Sequence, residues 1–168
     1  WKEVGWADLL ADAGREVIGV DLRGHGDNPD KSHDPDDYRD LTGDVLSAIE
    51  GHDRIAAVGF SFREPTLLEL ACRHPERFQR LVLCGIGRNA VDPIPVTSSS
   101  IVDALQGNGD PEDLTAQLFV QYANQPGNDI EALTACMQAI RPRFDAERLS
   151  AVTWPTLVVI GDKDFAGP

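Results

Sequence analysis

Three stretches of this 168-residue sequence carry reactive side chains directly after short runs rich in small and β-branched apolar residues. Asp21-Leu22-Arg23-Gly24-His25-Gly26 follows Val17-Ile18-Gly19-Val20, and Gly59-Phe60-Ser61 closes Ile55-Ala56-Ala57-Val58. Gly161-Asp162-Lys163-Asp164 follows Thr156-Leu157-Val158-Val159-Ile160. A serine on a sharp turn between a buried strand and a helix presents its hydroxyl to a carbonyl carbon, and the next backbone N–H can stabilise the oxyanion that forms. Acyl transfer is therefore the chemistry such a turn could do. The same serine could also serve only as the N-cap of the following helix, a role that requires no catalysis.

The elements around these stretches are legible from periodicity. Trp6, Leu9, Leu10 and Ala13 recur at helical spacing, with Gly14 as a C-terminal cap. Short apolar runs predict strands over 17–22, 55–60, 81–84 and 156–160, of the kind buried on both faces of a parallel sheet. Pro35 opens a helix that carries Tyr38, Leu41, Val45 and Ile49 on one face, and residues 66–73 form another with Leu67, Leu70 and Ala71 inward. This alternation predicts an α/β fold with right-handed crossovers and a parallel sheet covered by helices on both sides. Functional loops in such a sheet lie beyond the carboxyl ends of its strands, where all three reactive stretches fall. From Val91 to about Ser150 there is no strand signal, and Ile130, Leu133, Met137 and Ile140 mark the sharpest helical face. The expected organisation is an α/β core over 1–90, a helical insertion over 91–150, and a return to the core over 151–168.

Composition narrows the function classes. With 42% hydrophobic and 26% charged residues the chain reads as a soluble globular protein. A formal net charge of −13 argues against nucleic acid and against an anionic membrane surface as partners. No apolar run is long enough to span a membrane. Cys72, Cys84 and Cys136 sit far apart, with no CxxC or Cys/His cluster to hold a metal, and a reduced, cytoplasmic setting fits them. No G-x-G-x-x-G follows a strand, so a nucleotide-binding Rossmann protein is disfavoured and no cofactor is expected. The oligomeric state is left open.

Taken together the motifs resemble the α/β-hydrolase family over nearly the whole chain, in that family's order. Asp21 to Gly26 is similar to its D-x-R-G-H-G loop, and Gly59-Phe60-Ser61 to the first half of its G-x-S-x-G elbow. Arg73-His74-Pro75-Glu76-Arg77 and Leu81-Val82-Leu83 resemble the segment after the elbow, and Pro155 to Asp164 the strand that delivers the triad's acid. The resemblance implies a partial α/β-hydrolase fold with Ser61 as nucleophile and Asp164 as the acid. Asp162 is the alternative acid. The N–H of Phe62 would supply half the oxyanion hole, and the insertion would cap the pocket. His25 belongs to the loop motif and takes a structural role, while His33, His52 and His74 take none. The family's catalytic histidine follows the acid, so the resemblance places it beyond Pro168. Its other oxyanion donor follows a strand upstream of Trp1 that pairs between the 17–22 and 55–60 segments. These 168 residues alone are thus expected to be inactive and to leave a gap in the sheet. The implied parent is a hydrolase of a small ester, lactone or similar carbonyl substrate.

One departure stands out. After Ser61-Phe62 the family has glycine, whereas this chain has Arg63-Glu64. A Cβ and a long side chain at position 63 crowd a helix that crosses tightly against the neighbouring strands. Glu64 suits a first helical turn and Pro65 is tolerated there. Arg63-Glu64 favours an alternative, a non-catalytic ligand-binding protein on the same fold.

Overall fold

A short parallel ladder organises the chain. The computed structural model describes residues 4–61, 64–91, 97–139, 143–164 and 167. In chain order the main elements are α1 (Trp6–Asp12), a 3-10 turn (Pro35–Tyr38), α2 (Thr42–Ala48), β1 (Ile55–Phe60), α3 (Glu64–Arg73), β2 (Phe78–Cys84), α4 (Thr97–Leu105), α5 (Leu114–Ala123), α6 (Ile130–Gln138), α7 (Ala146–Leu149) and β3 (Thr156–Val159). The strands pair in the order β1–β2–β3, with Val58 opposite Val82 and Val82 opposite Leu157. Alternation of side chains puts Ala57, Leu81 and Leu83 on one face, where they are buried with Leu67, Leu68, Leu70 and Ala71 of α3. This is a three-stranded parallel sheet flanked by helices.

Three expectations need correction. Residues 17–22 form no strand. An apolar run becomes a strand only when a neighbour takes its N–H and C=O groups, and no described segment does so here. Val17 and Ile18 are accordingly 41% and 37% exposed. The sheet is also not covered on both sides among the described residues. Phe60 is 60% exposed on the face away from α3, all four residues of β3 are exposed, and α1 buries none of its residues. The single helix expected after Pro35 is instead a 3-10 turn followed by α2, although Tyr38, Leu41, Val45 and Ile49 are all buried as its spacing requires.

Helices α4 to α7 all lie between β2 and β3 in the chain. Asp113, Asp129 and Asp145 cap α5, α6 and α7, each accepting from a first-turn N–H at 2.8–3.0 Å. These helices have a second apolar cluster, built on Ile101, Ala104, Leu105, Ala116, Ala123 and Leu133. Ile140, predicted to extend the face of α6, lies outside the described residues.

Buried Glu69 of α3 joins the end of the insertion to the core, accepting from Arg73 Nε at 2.6 Å and from Arg148 of α7. Arg73 also donates to Asp40 at 2.6 Å, and Asp40 accepts from the N–H and hydroxyl of Thr42 at the start of α2. Burial alone raises the Asp40 pKa, but the bonds from Thr42 and Arg73 outweigh it and hold the carboxyl at about 2. A carboxylate held below its ordinary 3.8 stabilises the fold above that pH and loses the contribution as pH falls through about 2. Asp40→Asn should therefore lower stability at pH 7 by ~0.5–1 kcal/mol, modest because the carboxylate is half exposed. Thermal melts should show this difference fading between about pH 4 and pH 2.

Candidate active site

Parallel register brings the reactive loops to one edge. Phe60 pairs with Cys84 and Cys84 with Val159, so Ser61, Gly85 and Ile160 leave the sheet side by side. Two strand spacings separate the Ser61 turn from the Asp164 loop, roughly 10 Å across the sheet.

Ser61 sits between β1 and α3 with φ +60°, the one non-glycine residue with positive φ among those described. Left-handed backbone costs an L-residue about 1–2 kcal/mol, so the turn must be held there by its surroundings. Gly59 before it is buried in the sheet. Phe62 and Arg63, the proposed oxyanion donor and the departure from the elbow pattern, lie outside the described residues.

The loop after residue 20 is a self-bonded structure. The Asp21 carboxylate accepts from the N–H of Asp27 at 3.0 Å, and the Asn28 amide donates to the Asp21 carbonyl at 2.8 Å. Arg23 reaches Asp44 of α2 through its N–H at 2.8 Å and its guanidinium at 3.0 Å, and donates to the Asp37 carbonyl. The hydrogen bond to Asp44, strengthened by its charge, raises the Arg23 pKa above its ordinary value. Gly24 has φ +78°, and a Cβ there would lie 2.8 Å from the ring of Tyr38, which is fully buried. Burial first, with nearby negative groups adding to it, pushes the Tyr38 phenol up to about 12. His25 is 7% exposed and directs Nδ1 to the Arg23 carbonyl at 3.1 Å; a carbonyl only accepts, so Nδ1 carries the proton. The motif thus folds the loop, and it sets His25 beside the serine.

His25, Phe60 and Ser61 line one side of a cavity of about 360 Å³. Leu105 of α4, Leu118, Phe119, Tyr122 and Ala123 of α5, and Leu133, Cys136 and Met137 of α6 line the other. None of these helix residues is singled out as lining by the sequence. The signal was present in α5, where Leu118 and Tyr122 stand four residues apart and stay 64% and 42% exposed. An apolar stripe left facing away from the helix's own core marks a cavity wall.

Asp164 is half-buried, whereas Asp162 is exposed. The Asp164 loop is tight: its N–H donates to the Gly161 carbonyl and its carbonyl accepts from Gly167, both at 3.1 Å. Gly167 in turn accepts from the N–H of Arg88 at 3.0 Å and abuts Gly87, where a Cβ would collide with its carbonyl. The loop after β2 thereby fixes the loop after β3. Among the described residues no cluster of three or more His, Cys, Asp or Glu is placed to hold a metal, and no helix is long and apolar enough to cross a membrane.

A sequence model of the alpha/beta hydrolase fold matches residues 1–107. Among solved structures, NosK from Streptomyces actuosus is 24% identical, covering 95% of this chain and 70% of its own, with a TM-score of 0.64. A marine microorganism esterase is 13% identical over 84% of this chain and 75% of its own, at 0.50. The CarC enzyme, a serine hydrolase involved in carbazole degradation, is 27% identical over 84% of this chain and 58% of its own, also at 0.50.

The strain at position 61 can be tested without an assay of activity. Ser61→Gly should be more stable than Ser61→Ala by ~1 kcal/mol, because glycine alone of the two enters the left-handed region freely. Urea midpoints of the two variants measure it.

Proposed function

The chain belongs to the α/β hydrolase fold family, and from that premise we propose that its parent is a cofactor-independent serine hydrolase of small ester, lactone or similar carbonyl substrates. The observation that carries this reading is Ser61 at φ +60°, at the carboxyl end of β1 and lining the cavity. A strained backbone at a turn that faces a cavity supports a nucleophile, since an N-cap alone needs no left-handed residue.

In the proposed mechanism Ser61 Oγ attacks the carbonyl carbon while a histidine following the acid takes its proton. The tetrahedral oxyanion is held by the Phe62 N–H and a second donor. Collapse expels the alcohol, which receives the proton, and leaves an acyl-Ser61. Water then attacks through the same histidine and releases the acid. Asp164 holds that histidine, and its half-buried position supports it over exposed Asp162. Residues 1–90 and 151–168 are assigned to the core and 91–150 to a cap over the cavity.

In the intact protein, Ser61→Ala should lower kcat/KM on 4-nitrophenyl butyrate by roughly 10⁴-fold or more. Equal rates in the two proteins reject the reading. Arg63-Glu64 supports the second reading, a ligand-binding protein without catalysis, which predicts that a fluorophosphonate probe leaves Ser61 unlabelled in the intact protein.

A further inference from the structure

We propose that the cavity takes the acyl group of the substrate and that this group is uncharged and apolar, an aryl or medium-length alkyl chain; this rests on Ser61 acting as the nucleophile. Among the described residues the lining contains no Lys, Arg, Asp or Glu. It consists of aliphatic and aromatic side chains with Cys136 and Met137, and its hydrogen-bonding side chains other than the Cys136 thiol are His25, Ser61 and Tyr122. Against the buried inner wall a carboxylate would lose water without gaining a cation from any described residue, a penalty that an apolar group does not meet.

Volume sets the size. A cavity of about 360 Å³ is more than twice the ~150 Å³ apolar cavity that holds a benzene molecule, so an acetyl group leaves most of it unfilled. Shape sets the direction. Ala123, Leu133 and Cys136 form a buried inner wall, whereas Leu118 and Tyr122 form an exposed rim. The acyl group stays on the serine through both half-reactions and belongs against the inner wall, while the alcohol must leave past the rim. Leu118 and Met137 are the specificity-determining positions that follow, one at the rim and one on the half-buried face of α6.

The test is an ester series on the intact protein, read beside binding to Ser61→Ala. Over 4-nitrophenyl acetate, butyrate and hexanoate, kcat/KM should rise about fourfold per added methylene, and the mono-ester of succinate should fall at least tenfold below butyrate. Because Leu118 is 64% exposed, Leu118→Lys should fold normally and shift the hexanoate-to-succinate ratio at least tenfold toward succinate. By saturation-transfer NMR, Ser61→Ala should bind octanamide and phenylacetamide but not succinamate. A flat chain-length profile, or succinate turned over as fast as butyrate, overturns the proposal even with Ser61 active. If no ester is cleaved while octanamide binds and succinamate does not, the nucleophile reading fails and the apolar cavity stands. Equal binding of succinamate and octanamide overturns the cavity assignment.

Discussion

The arrangement at the site depends on the register of three short parallel strands. Pairing of Phe60 with Cys84 and of Cys84 with Val159 brings the Ser61 turn and the Asp164 loop out of the sheet at the same level. A one-residue slip of β1 against β2 would move the Ser61 turn along the sheet and turn Ala57 or Leu81 out of the core. Burial of these side chains against α3 therefore enforces that register, and the register places the Ser61 turn. Gly87 and Gly167 then close the remaining freedom by letting the loops after β2 and β3 touch through backbone.

The insertion sits on this frame through a few directional contacts. Buried Glu69 holds Arg148 at its exit, the Phe144 N–H donates to the Ala90 carbonyl at 3.3 Å, and His33 lies 3.3 Å from Asp129 and 2.9 Å from Glu131 at the start of α6. The His33 contacts are exposed and contribute little each. Glu69 differs because its carboxylate is buried and would be left uncompensated without the arginines. The segment between β2 and β3 is thus joined to the core near Ala90, near Arg148 and through Ala135 and Cys136 of α6.

What was legible in the sequence followed from local rules. β1, α3 and β2 announce themselves by short apolar runs, helical spacing and the proline at position 75, and the glycines of the Arg23–Gly26 loop mark the turn that Tyr38 and Asp21 require. The 17–22 run satisfied the same local rule and still formed no strand, because strand formation is a property of pairs. The open sheet face was hidden for a related reason: Val58 and Phe60 read as buried because their composition suits burial, but composition cannot supply the covering element. Ser61 was legible as a position from its neighbours, whereas its left-handed backbone was not, since serine carries no such preference. The cavity wall was the least legible part, being made by three helices whose mutual packing periodicity does not encode.

The cavity itself follows from there being two apolar clusters rather than one. Ala135, Cys136 and Phe144 pack with the sheet and α3, whereas Leu133 packs with α4 and α5, so α6 divides its faces between the two. A helix shared in this way holds the clusters at a fixed separation, and side chains from neither side can close the space between them. Interiors are otherwise packed to crystal-like density, and a space of about 360 Å³ would collapse if either cluster could move onto the other. The same division contributes to the apolar lining: Cys136 comes from one cluster, and Leu105, Ala123 and Leu133 from the other. Ser61 lies in the wall because it follows the end of β1, where one cluster stops.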